Sequence, residues 1–184
     1  MRPNSSPVLP LDEFSIRPIE TSDAAAWLEY AALSEVKQHT SSTVEALADL
    51  LPIIERCNST EPSSPIHFAV CTTAGNRLVA TVGFHTVSAL NRTAEITYDV
   101  RPSYWHQGIA SACCAAAVSW GLTRCGFVRV QATALESNVA SQRVLQRCGF
   151  AFEGKLRNFR IVRGSPRDFL MYSVVSEAPV DRPT

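Results

Sequence analysis

The stretch Tyr104-Trp105-His106-Gln107-Gly108-Ile109-Ala110-Ser111 constrains this chain more than any other. An apolar, strand-like run from Glu95 to Val100 leads into it, and a helix-like run from Ala110 to about Leu122 leaves it. A glycine-bearing turn at a helix start leaves several backbone N–H groups unpaired and aimed outward. With the positive end of the helix dipole, such groups suit an anion such as pyrophosphate. Gly108 permits close approach of the backbone, and the small Ala110 and Ser111 keep side chains out of the way. One glycine before a helix is also an ordinary turn, so the stretch alone leaves both readings open.

At 184 residues the chain fits one domain with a substantial core. Its 46% hydrophobic and 18% charged residues mark a globular chain. Lys+Arg and Asp+Glu both number 17, so no global charge draws it to nucleic acid or to an anionic membrane. Six cysteines (57, 71, 113, 114, 125 and 148) form no CxxC pair and no Cys/His metal spacing. Reduced core thiols are expected, a disulfide framework or zinc site being the other reading. His39, His67, His85 and His106 show no metal spacing either, and no metal site is expected. With no signal-like apolar region at the N-terminus and no apolar run of membrane-spanning length, the expected location is cytoplasmic.

Along the chain, residues 1–12 carry three prolines and suggest a flexible arm, residues 13–176 a single domain, and residues 177–184 a flexible tail. Phe14 to Pro18 alternates like a short strand. Thr21-Ser22-Asp23 offers caps for a helix to about Leu33, and Ser42-Thr43 begins a second helix that Pro52 should bend or break. Strands are expected at Ile66–Cys71, Arg77–Val87 and Ala94–Val100, joined by short turns into an antiparallel meander. The helix from Ala110 followed by a strand at Phe127–Thr133 makes a βαβ crossover. Asn138 caps a helix through Arg147 that Gly149 ends. Short strands at Phe150–Phe152 and Leu156–Val162 precede a turn at Gly164-Ser165-Pro166 and a last strand at Asp168–Val175. The fold class is α+β, with an antiparallel N-terminal half and a βαβ-containing C-terminal half.

Three features occur in order: strand Ala94-Glu95-Ile96, the glycine turn at 105–110, and Asn138-Val139-Ala140-Ser141 opening a helix that closes at Cys148-Gly149-Phe150. Together they resemble the GNAT superfamily of acetyl-CoA-dependent N-acetyltransferases over about Phe14 to Val175. The family's loop is commonly Arg/Gln-x-x-Gly-x-Gly/Ala, and Trp105-His106-Gln107-Gly108-Ile109-Ala110 occupies it, Trp105 departing from the commonest first residue. Many members place a tyrosine four residues before the Gly-Phe pair as the acid that protonates departing CoA; here that position is Leu145. The branch of Rim-type ribosomal-protein N-terminal acetyltransferases instead has a serine three residues after the asparagine, and Ser141 matches. Glu153-Gly154-Lys155-Leu156-Arg157-Asn158 and Arg167 to Ser173 also look like that branch. The resemblance implies a mixed, mainly antiparallel sheet around a βαβ acetyl-CoA-binding core.

It further implies direct attack of an amine on the thioester of acetyl-CoA in a ternary complex. Backbone N–H groups of His106, Gln107, Gly108, Ile109, Ala110 and Ser111 would hold the pyrophosphate, and one on the strand near Tyr98 to Val100 would polarise the carbonyl. Glu95 is the candidate base, directly or through water, since a carboxylate amid apolar strand residues should have a raised pKa; a solvent-facing strand glutamate is the plain alternative. Ser141 is the candidate acid or thiolate donor, against ordinary first-turn helix chemistry. Asn138 would bind pantetheine amides, cap the helix, or both. Arg143 is a candidate for CoA phosphates, against solvated surface charge. Tyr104 and Trp105 read as packing residues.

The expected activity is acetyl transfer from the co-substrate acetyl-CoA to a primary amine, with a protein N-terminal α-amine as the class the resemblance implies. A small amine, such as an antibiotic or amino-acid derivative, is the alternative acceptor, and a non-catalytic CoA-binding sensor is the alternative class. No nucleic-acid or membrane partner is expected, and the chain would be a monomer or homodimer.

Overall fold

The computed structural model describes residues 5–41 and 44–177. Among them, seven strands form one sheet: β1 (Phe14–Pro18), β2 (Ile66–Thr72), β3 (Leu78–Ser88), β4 (Thr93–Val100), β5 (Arg129–Leu135), β6 (Ala151–Val162) and β7 (Ser165–Val175). Their order is β1-β2-β3-β4-β5-β7-β6, and every pairing is antiparallel except β4 with β5. The parallel pair follows from the helix α4 (Ile109–Thr123) that joins β4 to β5 as a crossover. The meander and the βαβ unit expected from the sequence are both present.

Both faces of the sheet's first half are covered, which is why β2 is buried along nearly its whole length instead of alternating. On one face Phe68, Val70, Val82, Phe84 and Ile96 pack with Ile109, Cys113 and Ala117 of α4. On the other, Ala69 and Cys71 meet Trp27 and Tyr30 of α1 (Ala24–Ala31) and Leu50 and Ile54 of α3 (Leu47–Cys57). Each such fully buried large side chain contributes about 1.5–3 kcal/mol. Asp99 fastens α1 to the sheet: its carboxylate accepts from Trp27 Nε1 at 3.0 Å, Tyr30 Oη at 2.5 Å and Thr81 Oγ1 at 3.1 Å. Burial raises its pKa, opposed by those same hydrogen bonds.

Several boundaries differ from expectation for local reasons. The first helix divides, because Leu33 turns extended (ψ 138°) before the short α2 (Ser34–Lys37). The second helix starts at Leu47, where the Asp49 carboxylate accepts the N–H groups of Glu45 and Ala46, both at 2.9 Å. Its expected start at Ser42-Thr43 lies outside the described residues. Pro52 sits within α3 without breaking it; it removes a single N–H donor. The two short strands expected near 150–162 are one strand, β6, kept in the sheet by register shifts between Phe152 and Gly154 and between Leu156 and Arg160. Arg163 (φ 49°) and Gly164 (φ 75°) alone make the turn to β7, so Ser165 and Pro166 already belong to that strand.

Residues 5–12 of the expected arm lie on the domain. Pro7 is buried, Leu9 and Leu11 pack against the α4-side core, and Trp120 Nε1 donates to Ser5 Oγ at 3.3 Å. Partial burial of the two leucines gives the segment its hold. Of the expected tail, residues 178–184 lie outside the described residues. All six cysteines are present as thiols, four of them buried. Among the described residues no helix is long and apolar enough to cross a membrane, and no group of His, Cys, Asp and Glu side chains is arranged to hold a metal ion.

Candidate active site

β4 and β5 run together only briefly. Thr93, Ala94 and Glu95 pair with Arg129, Val130 and Gln131, and there the pairing stops. Beyond it β4 stays with β3 as far as Val100, while β5 stays with β7 as far as Leu135. The two strands therefore part after Glu95 and open a cleft in the sheet. Arg101 N–H bonds Val79 O at 2.8 Å, so by strand alternation the N–H groups of Tyr98 and Val100 face away from β3, toward that cleft. Trp105 agrees with this parity, since its Nε1 donates to Val100 O at 2.7 Å. The same bond ties the loop to the strand end, while Tyr104 packs edge-on to Phe14.

The loop itself has an unusual backbone. His106 (φ 63°) and Gly108 (φ 78°) both lie in the left-handed region, and Gly108 is the N-cap of α4. Having no side chain, Gly108 leaves the helix without a side-chain cap. The first intrahelical bond runs from Ala112 N–H to Gly108 O, so the N–H groups of Ile109, Ala110 and Ser111 precede the helical ladder. A Cβ at Gly108 would meet nothing within 4 Å, so the space above the turn is open. His106 and Gln107 are exposed, and Ile109 is buried beneath them as the anchor.

The helix α5 (Val139–Arg147) flanks the same cleft. Asn138 is its N-cap: Oδ1 accepts Ser141 N–H at 3.0 Å, and Nδ2 donates to His39 O at 2.8 Å. Capping is thus observed. Ser141 Oγ lies 2.9 Å from Tyr98 Oη, joining α5 to β4 across the opening. Burial raises the Tyr98 pKa well beyond the ordinary phenol value, so its hydroxyl stays protonated and available to Ser141. Cys148 Sγ donates to Ser111 O at 3.4 Å, holding α5 against α4. Arg143 is exposed on α5.

Glu95 stands where the strands part and is only 6% exposed. Its Oε1 accepts from Thr133 Oγ1 at 2.6 Å and Arg160 Nη2 at 3.1 Å and lies 3.4 Å from His85 Nε2; Gln131 Nε2 is 3.5 Å from Oε2. The raised pKa expected from burial is overturned. Burial does push the pKa up and is the largest single effect, but the hydrogen bonds from His85 and Thr133 and the charges of His85 and Arg160 outweigh it. The carboxyl is held at about 2. The sequence leaves Glu95 open between a buried carboxylate and a solvent-facing one; its partners come from β3, β5 and β6, whose contacts no local pattern encodes. Arg160, Thr133 and the Tyr98 hydroxyl were missed for that reason.

A family model described as an acetyltransferase (GNAT) domain matches residues 14–151. The chain belongs to the GNAT acetyltransferase family. YoaA of Bacillus subtilis, an uncharacterised N-acetyltransferase, is 30% identical over 92% of this chain and 97% of its own length. YdaF of the same organism, whose name marks it as a proposed ribosomal N-acetyltransferase, is 31% identical over 53% of this chain and 54% of its own. The solved structure of RimJ from Mycobacterium smegmatis in complex with CoA-disulfide superposes with a TM-score of 0.77, at 26% identity, covering 89% of this chain and 82% of that one. As a GNAT enzyme the chain is an acetyl-CoA-dependent N-acetyltransferase acting on an amine. The residues present fit that co-substrate. An uncapped helix start under open space suits a pyrophosphate, and a cleft edged by strand N–H groups suits the amides of a pantetheine arm.

Proposed function

We propose that this N-acetyltransferase acts on the α-amine of a protein N-terminus. The reading is supported most by the character of the surface beside Glu95. Around that nearly buried carboxylate stand the side chains of His85 (37% exposed) and Arg160 (33%), with the Phe159 ring (43%) against the Arg160 guanidinium, so the strand surface beside Glu95 is open to solvent. An open strand surface of this kind admits a chain end, whereas a small amine is better held by an enclosed pocket. The similarity to RimJ and to YdaF points the same way.

Acetyl-CoA supplies an activated thioester, and the rest falls to the chain. N–H groups of residues 106–111 would hold the pyrophosphate, with Arg143 near its phosphates. The N–H groups of Tyr98 and Val100 would bond the arm and polarise the carbonyl oxygen. Asn138 sets the first turn of α5 and so places Ser141. Ser141, its hydroxyl already paired with the protonated Tyr98, would give a proton to the leaving sulfur. Glu95, charged at neutral pH, would draw the acceptor ammonium in and orient it or the water beside it.

Thiol release from acetyl-CoA decides between acceptors. It would be measured with short peptides bearing a free N-terminus, the same peptides capped at the N-terminus, and a set of polyamines, aminoglycosides and amino-acid amides. Turnover with the free peptides, abolished by the cap, is the expected result. Equal turnover with capped lysine peptides, or turnover with the small amines alone, would remove the reading.

A further inference from the structure

A second titratable side chain stands at the point where the strands part. His85 occupies β3 where its register with β4 shifts, between Phe84 and Thr86. Such a bulge re-aims a side chain that regular alternation would have sent elsewhere. The imidazole spans two partners, with Nε2 3.4 Å from Glu95 Oε1 and Nδ1 2.8 Å from Thr86 Oγ1. It is also the more accessible member of the pair, with a side chain 37% exposed against 8% for Glu95. A proton arriving from the solvent side therefore meets the imidazole before the carboxylate.

The carboxylate makes a poor terminus for that proton. Thr133, Arg160 and His85 all favour its charged form, and a group held at about 2 gives up a proton again at once near neutrality. Imidazole is the side chain whose ordinary titration falls near neutral pH. A carboxylate bonded to one ring nitrogen fixes the proton there and leaves the other nitrogen free to accept.

We propose that His85 Nδ1 accepts the proton of the acceptor ammonium, with Glu95 as the positioning residue that keeps the other ring proton on Nε2. The inference rests on the acetyltransferase chemistry of the site and not on which amine is used. In the step, an N–H bond of the ammonium breaks and its proton moves to Nδ1, directly or through the Thr86 hydroxyl. The freed lone pair forms the N–C bond to the thioester carbonyl carbon, and the nitrogen, positively charged once bonded to carbon, gives a second proton to solvent as the neutral amide forms. The C–S bond breaks, and its electron pair leaves on sulfur, which takes a proton from Ser141. Imidazolium then loses its proton to solvent, from which Ser141 recovers one. The charged and titratable groups toward His85 are Glu95 on β4, Arg160 on β6 beyond it, and the buried His67 on β2. Burial lowers the His67 pKa to about 4, so that ring is uncharged at neutral pH.

The test uses the full chain and whichever amine gives the highest kcat/KM in the acceptor panel, so a wrong acceptor class leaves it intact. Wild-type kcat/KM should fall on an acidic limb, and the His85 Cε1–H resonance should titrate with the same midpoint. His85→Gln should lose the limb and about 10²-fold in kcat, while the dissociation constant for acetyl-CoA stays within about twofold. Glu95→Gln should keep the limb and lower kcat more than acetyl-CoA affinity, because the imidazole remains while the carboxylate that fixes the Nε2 proton is gone. Added imidazole should restore part of the activity of His85→Ala, which guards against a fault in folding alone. A His85→Gln enzyme with its limb intact and kcat within threefold of wild type would overturn the proposal. So would a resonance midpoint more than one pH unit from the limb.

Discussion

Replacing Glu95 by glutamine tests the electrostatics of the site in isolation from any acceptor. The side chain keeps its size and loses its charge, while Arg160, His85 and Thr133 remain around it. An ordinary glutamate titrates at 4.5, and this one is held at about 2. At 1.36 kcal/mol per pKa unit the difference is worth about 3 kcal/mol of folded-state stability. Solvent reaching the half-open cluster screens part of this, leaving about 2 kcal/mol. Because the folded-state value lies below the unfolded one, the contribution is complete above about pH 4.5 and disappears as pH falls through about 2. Urea unfolding of wild type and Glu95→Gln at pH 7, 5, 3.5 and 2.5 measures it. The stability gap should be about 2 kcal/mol at pH 7 and 5, and should narrow at pH 3.5 and again at 2.5. A gap independent of pH, or a variant more stable than wild type at pH 7, would refute the account of Glu95 as a charged, paired carboxylate.

Three other substitutions bear on separate parts of the fold and site. Gly83→Ala would place a Cβ 2.0 Å from Ile66 O across the β2–β3 pair; a loss of stability above about 3 kcal/mol by chemical denaturation is expected. Asn138→Ala removes the α5 cap and the bond to His39 O; a loss of about 1 kcal/mol is expected, with a lower Tm. Ser141→Ala should lower kcat by about 10²-fold while acetyl-CoA binding, followed by calorimetry, stays within about threefold.

The sequence carried the architecture well because the fold is built from local signals. The glycine turn, the βαβ spacing and the Asn138 cap are all short-range, and each occurs where the residues place it. Boundaries drifted where a tertiary contact decided them, as at residues 5–12, which alternate too little to read as structure but seat Leu9 and Leu11 on the core. β6 was read as two strands because Glu153-Gly154-Lys155 looks like a break; bulges keep it in the sheet. In the site, the residues that contact the cleft through their backbone were legible, since their side chains matter little. The charge state of Glu95 was not. It depends on Arg160 and Thr133, 65 and 38 residues away, and on a histidine turned toward it by a bulge.

On the proposed reading, acetyl-CoA would lie between the parting strands β4 and β5, with its pyrophosphate over the start of α4. Amide-resolved NMR of the full chain, titrated with acetyl-CoA, tests that placement directly. The N–H resonances of Gly108 to Ser111, Tyr98 and Val100 should shift most, followed by those of Ser141 and its neighbours on α5. Shifts concentrated on α1 and α3, with the turn at 105–111 unmoved at saturation, would contradict it.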